Sequence, residues 1–279
     1  MPITALRCDL EYQVFSRSHF FLHIQCAHGG EQNILEESLD TEAGVAMHSY
    51  TDPYSGNRFL RCDVDPGLFR LRYDARVELL CPPADVHAAE VAVGDLPDAV
   101  VRYLMPSRYC QSDTMSRAAQ GHFGQVPQGY RRVQAICDWL YDNVSYEVGI
   151  TNALTSAIDV YQQRVGVCRD FAHLAITFCR ALNIPARLVS GYVNFEFPPQ
   201  DFHANFEAWL GGRWVMFDPT RLTRPENMVR VGTGPDAKDT AFGTLYGAVE
   251  MSHMHVQVSH VDVAPVEQPD PAQATVRRP

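Results

Sequence analysis

The sequence predicts an α+β protein in two parts, an antiparallel β-rich N-terminal domain followed by a domain in which helices pack on a sheet. Three observations carry this: apolar and charged residues alternate over 68–79, apolar residues recur at helical spacing after residue 130, and two strand-like runs flank Gly211-Gly212. The 279 residues supply material for two cores at ~100 to 200 residues per domain. With 46% hydrophobic and 20% charged residues the composition is that of a folded globular chain. Lys and Arg total 23 against 33 Asp and Glu, so a net charge of −10 with no basic run excludes a nucleic-acid partner.

No charged start, apolar core and small-residue cleavage site opens the chain, and no stretch nears the ~18 apolar residues of a membrane span. No membrane association is therefore expected. The eight cysteines include no CxxC pair, which argues against a zinc ribbon or a disulfide framework and makes a reducing cytoplasm the expected setting.

Residues 6–27 read as extended, and Asp52-Pro53-Tyr54-Ser55-Gly56-Asn57 concentrates turn formers between two mixed apolar segments. In 68–79, Phe69, Leu71, Tyr73, Ala75, Val77 and Leu79 share one face, opposite Arg70, Arg72, Asp74, Arg76 and Glu78, as in a half-buried strand. Residues 1–98 are thus assigned to the β-rich domain, and proline-containing segments near 82–83 and 97 mark its end. Residues 99–262 form the second domain. There Val133, Ile136, Cys137, Leu140 and Val144 make a helical stripe. Residues 263–279, rich in Pro and polar residues, read as a flexible tail.

Gly166-Val167-Cys168-Arg169-Asp170-Phe171-Ala172-His173 is the most informative segment. Phe171, Leu174, Ala175, Phe178 and Leu182 define a helix of about four turns that Asn183 and Pro185 end. Cys168 falls in its first turn, where unpaired N–H groups and the positive dipole end stabilise a thiolate and can bind an oxyanion. Alone, Cys168 is more simply a small core residue; Cys179, mid-helix, is assigned that role.

A base is found downstream. In FHANFEAWLGGRWVMFDPT (202–220) the glycine pair suits a two-residue hairpin turn. If Leu210 pairs with Arg213, His203 lies opposite Thr220 and Asp218 becomes its diagonal neighbour on the same face. The carboxylate can then orient the imidazole. Cys168, His203 and Asp218 together have the chemistry of nucleophile, general base and orienter in acyl transfer. Singly, His203 reads equally as a strand-end residue and Asp218 as the start of an Asx-turn.

The stretches GVCRDFAHLAITFCRALNIPARLVSGY, DFHANFEAWLGGRWVMFDPT and VGTGPDAKDTAFGTLYGAV resemble the transglutaminase-like superfamily, specifically the bacterial transglutaminase-like cysteine protease group. The resemblance runs from about residue 104 to 263, and the N-terminal part resembles the β-domain that precedes the core in this group. It implies a papain-like core with Cys168 as nucleophile, His203 as base and acid, and Asp218 as orienting carboxylate. It also implies a protein or peptide substrate and no cofactor or metal, and leaves oligomeric state open. The activity expected is cysteine-dependent acyl transfer through a thioester, with hydrolysis preferred to transamidation and a noncatalytic peptide-binding scaffold as the rival. The chain departs from the family in carrying Ala204 and Asn205 where an aromatic residue often follows the histidine.

Tyr146 is a candidate second oxyanion donor, although core packing is the preferred assignment. Gln162 is read as a solvated helix end, Asp170 as structural and His173 as a hydrogen-bonded core residue. His253, His255 and His260 are read as surface or cleft-lining rather than as metal ligands, and His19 and His23 as strand residues. Residues 221–247 are expected to loop over the cleft, with Asp236 and Asp239 ordering that loop.

Overall fold

Alternation builds the first half of the chain. In the computed structural model, which describes residues 2–42, 44–80, 82, 84–195 and 200–261, six strands appear in succession: β1 (Ile3–Val14), β2 (Ser18–Leu22), β3 (Gln32–Thr41), β4 (His48–Thr51), β5 (Arg58–Val64) and β6 (Gly67–Leu79). The expected tail at 263–279 lies outside the described residues. All six inward positions anticipated in β6 are buried. They share one core with Leu10, Tyr12, Phe20 and Leu22, and the rings of Tyr12, Phe20 and Phe69 meet edge to face at 5.1–5.2 Å. Burying each such side chain contributes roughly 1.5–3 kcal/mol. The outward positions pair charges across β1 and β6 (Arg7 with Asp74, Arg72 with Asp9, Arg70 with Glu11), exposed contacts worth only ~0–1 kcal/mol each. The turn at 52–57 joins β4 to β5, with Asp52 accepting from the N–H and hydroxyl of Ser55.

The second half opens with α1 (Asp98–Val101), α2 (Ser116–Phe123), α3 (Tyr130–Asn143), β7 (Ser145–Tyr146), α4 (Ala157–Gln163) and β8 (Val165–Gly166). Then come α5 (Cys168–Ala181), β9 (Ala186–Tyr192), β10 (Phe202–Leu210), β11 (Arg213–Phe217) and β12 (Val229–Gly234). The sheet has the order β11-β10-β9-β12 and is antiparallel throughout. Helix α5 packs on it through Leu188, Ala204, Phe206 and Ala208, and α2, α3 and α4 surround the helix's other sides. Residues Asp170 to Arg180 are therefore buried all round the helix, a wider burial than the apolar stripe predicts. Asn183 adopts the left-handed conformation (φ 64°) that ends α5.

Two further strands, β13 (Gly243–Tyr246) and β14 (Val249–Val261), return to the first half. Strand β14 pairs with β1 along its whole length, and β13 pairs with β2. The stretch 99–262 thus includes two strands hydrogen-bonded into the N-terminal sheets, β14-β1-β6-β3 and β13-β2-β5-β4. Residues 221–247, expected as one loop, contain β12 and β13.

Strand β12 is an edge, and an edge leaves main-chain groups unpaired. Side chains from the N-terminal sheets supply the missing partners. Gln32 accepts from the N–H of Arg230 and donates to its C=O, and Asn57 does the same for Thr233 at 2.9–3.0 Å. The Arg230 guanidinium bridges buried Glu207 on β10 and Glu31, while Arg187 holds the other oxygen of Glu207. Replacing Asn57 by Ala is expected to lower stability by about 1–3 kcal/mol, the cost of leaving the Thr233 groups unpaired, as read from the urea midpoint of the full chain. A change within a few tenths of a kcal/mol would show that these bonds do not secure the two halves.

Candidate active site

Helix α5 begins at Cys168 because its N-terminus is held from both sides. Val167 is extended (φ −113°), and the Asp170 carboxylate reaches back to accept its N–H at 3.0 Å. Asp170 is fully buried and further bound by the Thr151 hydroxyl (2.6 Å) and by Arg169 (2.9 Å). Gly166 leaves room for this: a Cβ there would lie 2.8 Å from that of Asp170. Asp170 is structural, as its place in the motif suggests. Cys168 is half-buried, at the end of the helix where main-chain N–H groups lack intrahelical acceptors.

The hairpin forms in the anticipated register. Leu210 pairs with Arg213 and Phe206 with Phe217, and Gly211 and Gly212 take the positive φ values (58° and 79°) a two-residue turn requires. His203 and Asp218 consequently meet, Nε2 to Oδ2 at 3.2 Å, with both side chains only 1% exposed. Asp218 Oδ1 also accepts from the N–H and hydroxyl of Thr220, and Oδ2 from the N–H of Thr223. The Asx-turn and the histidine contact coexist on one carboxylate. The Phe195 ring lies against the imidazole edge to face at 5.8 Å.

With Nε2 committed to Asp218, His203 Nδ1 has no hydrogen-bond partner among the described residues, and it is the nitrogen left for Cys168. Burial by itself lowers the imidazole pKa; the Asp218 hydrogen bond and the adjacent Cys168 sulfur outweigh it and push the value up to about 10. Burial likewise opposes ionisation of Asp218, yet the bonds from His203 and Thr220 leave its pKa below the usual carboxylate value. A buried imidazolium–carboxylate pair results at neutral pH.

Tyr146 is the main departure from the sequence expectation. The parallel pairing of β7 with β8 sets Tyr146 beside Gly166, with its hydroxyl near Cys168. Burial, then the sulfur's charge, raises the phenol pKa. The preferred assignment to core packing holds only for the ring, which lies 6.0 Å from Phe171. Only the strand pairing, which brings Ser145-Tyr146 alongside Val165-Gly166, places the hydroxyl here.

The remaining candidates lie apart. Gln162 is exposed on the last turn of α4. His173 is buried, stacks on Tyr109 at 4.9 Å and accepts the Ala237 N–H at Nε2, and burial pushes its pKa down to about 4. Asp236 orders its segment by accepting from the N–H groups of Tyr109 and Lys238. Cys179 is fully buried in the core. His19 pairs with Asp63, and His23 is buried against Phe59. His253 and His255 stack on β14, and no cluster able to hold a metal ion occurs among the described residues.

Fold and site together define a papain-like core with a cysteine at a helix start and a His–Asp pair on a neighbouring hairpin. Residues 117–219 match the family described as the transglutaminase-like superfamily, and residues 4–95 match the bacterial transglutaminase N-terminal domain. The crystal structure of a "Putative Cysteine Protease from Cytophaga hutchinsonii" superposes with a TM-score of 0.90 at 39% identity, over 94% of this chain and 92% of that one. An uncharacterised protein of Mycobacterium leprae is 33% identical over 149 residues, covering 50% of this chain and 52% of that protein. One from Mycobacterium bovis is 34% identical over 144 residues, covering 46% and 45%. The chain spans about half the length of these curated relatives. It belongs to the transglutaminase-like superfamily.

The raised His203 pKa fixes a pH dependence. Because the folded value of about 10 exceeds the unfolded ~6.5, the stability His203 contributes is fully present below ~6.5 and is lost as pH rises through about 10. The Asp218 share is present above ~3.9 and is lost as pH falls through its depressed folded value. The stability gap between the native chain and Asp218→Asn should therefore narrow from pH 6.5 to 10 in urea titrations. A gap constant over that range would refute the ion pair.

Proposed function

We propose that the protein is a cysteine-dependent acyl-transfer enzyme acting on an amide or peptide bond, with hydrolysis as its principal outcome. One observation carries the reading: Asp218 fixes His203 through Nε2 and leaves Nδ1 for a cysteine at a helix start. Cys168 Sγ, its proton already held by His203 Nδ1 in a thiolate–imidazolium pair, attacks the carbonyl carbon. The developing oxyanion is received by the Cys168 N–H and the Tyr146 hydroxyl. The His203 imidazolium then donates its proton to the departing amine, the C–N bond breaks, and a thioester remains. Water, deprotonated by the now neutral His203, attacks the thioester, and the C–S bond breaks to release the acid and the Cys168 thiolate, with the water proton left on His203. Hydrolysis is preferred because no group among the described residues identifies a site for a second amine, and the Cytophaga hutchinsonii protein carries the description "Putative Cysteine Protease".

Incubation of the full chain with glutamine-containing peptides, with and without dansylcadaverine, separates the outcomes by mass spectrometry. Hydrolysis gives cleaved or deamidated peptide; transamidation gives the amine adduct and would replace the preferred reaction. Cys168→Ala should lower turnover by about 10⁴-fold or more, and turnover unchanged in a folded Cys168→Ala protein would favour the scaffold instead. Tyr146→Phe should lower kcat by about 10²- to 10³-fold with KM little changed, as expected for loss of one oxyanion donor. An effect confined to KM would remove Tyr146 from this role.

A further inference from the structure

Asp201 stands two residues before His203, at the entry to β10, and takes no part in the reaction described above. The segment that carries it is anchored to the N-terminal sheets. Gln200 accepts from the N–H of Val258 on β14, and its amide donates to the Val258 carbonyl and to Asn194. Asp201 is thereby held where its charge acts on two side chains at once, Tyr146 of β7 and His203 of β10, both of which are near Cys168.

Water reaches Asp201, yet enough protein surrounds it that burial raises its carboxyl pKa above the usual carboxylate value. Two groups offset this: the Phe202 N–H, which Oδ1 accepts at 2.6 Å, and the charge of His203. No lysine or arginine among the described residues does so. The cations at the site are already paired. Arg169, next to Cys168, is bound to buried Asp170, and the His203 imidazolium faces Asp218. The balance around the sulfur is therefore negative throughout the reaction. Before attack, the thiolate, Asp218 and Asp201 share one imidazolium; once His203 has given its proton to the amine, the two carboxylates share none. A carboxylate that has lost part of its hydration and has no cation of its own is where a cation from the substrate gains most.

We propose that Asp201 is a specificity-determining residue that receives an ammonium or guanidinium group of the substrate, so that the preferred polypeptide carries lysine or arginine close to the amide that reacts. This rests on the acyl-transfer reading of the site and names the substrate class it selects. The cation belongs to the bound chain and not to an acceptor amine, because a carboxylate holds an amine as ammonium, which has no lone pair to attack the thioester.

The charge near the thiol can be read without turnover. Cys168 of the full chain is labelled with methanethiosulfonates carrying a trimethylammonioethyl, a sulfonatoethyl or a methyl group, and each rate is divided by that of free N-acetylcysteine amide. The cationic reagent is expected to exceed the anionic one by about tenfold or more. Asp201→Asn, which keeps an acceptor for the Phe202 N–H, should cut that ratio by about fivefold or more. Asp65→Asn, an exposed acid in the turn between β5 and β6, should leave it within about twofold and so controls for net charge. In the peptide incubations, glutamine peptides flanked by lysine should react about tenfold faster than those flanked by glutamate, a preference that Asp201→Asn removes. Rapid labelling with a ratio that Asp201→Asn does not change would overturn the role of Asp201 and leave acyl transfer standing. Slow labelling of the native chain even by the methyl reagent would overturn the acyl-transfer reading and this role with it.

Discussion

Helix α5 is enclosed on every side, and the second half of the molecule is arranged around that enclosure. A helix buried all round must satisfy its polar side chains within the protein, since an unpaired buried group costs on the order of 1–3 kcal/mol. Thr177 turns its hydroxyl back to the His173 carbonyl, and Asp170, His173 and Arg180 each fasten a different segment. Asp170 holds the start of the helix and the Thr151 region; His173 accepts the Ala237 N–H; Arg180 donates to the carbonyls of Met105, Ala186 and Pro235. These bonds fix the helix along its axis, and with it the position of the thiol at its first residue.

The sheet brings a matching constraint. The glycine pair sets the register of the hairpin, the register sets His203 beside Asp218, and the threonines at 220 and 223 hold the carboxylate from its other side. An imidazole held this way can rotate little, so its second nitrogen keeps one direction. The N-terminal sheets act at a distance: their amides cover the outer edge of β12, and the returning strands β13 and β14 tie both halves of the chain into common sheets.

What could be read in the sequence was whatever depends on near neighbours. Alternation in 68–79, the end of α5 at Asn183 and the hairpin register all follow from residues a few positions apart. The Cys168, His203 and Asp218 arrangement was legible because two of its members share one hairpin. Features that depend on remote partners were not. The burial of α5 on all sides requires three other helices, and the placement of the Tyr146 hydroxyl requires β7 to pair with β8. Strands β12 and β13 carry no local signal that separates them from a loop, because β13 pairs with a strand more than two hundred residues earlier and the outer groups of β12 are met by Gln32 and Asn57.

The central claim is that His203, oriented by Asp218, activates the thiol of Cys168. The most direct measurement is the rate at which iodoacetamide labels Cys168 at pH 7, resolved by mass spectrometry from the other cysteines, in the native chain, His203→Ala and Asp218→Asn. The account predicts rapid labelling in the native chain, a loss of at least tenfold in His203→Ala and an intermediate rate in Asp218→Asn. Equal rates in all three folded proteins would contradict it.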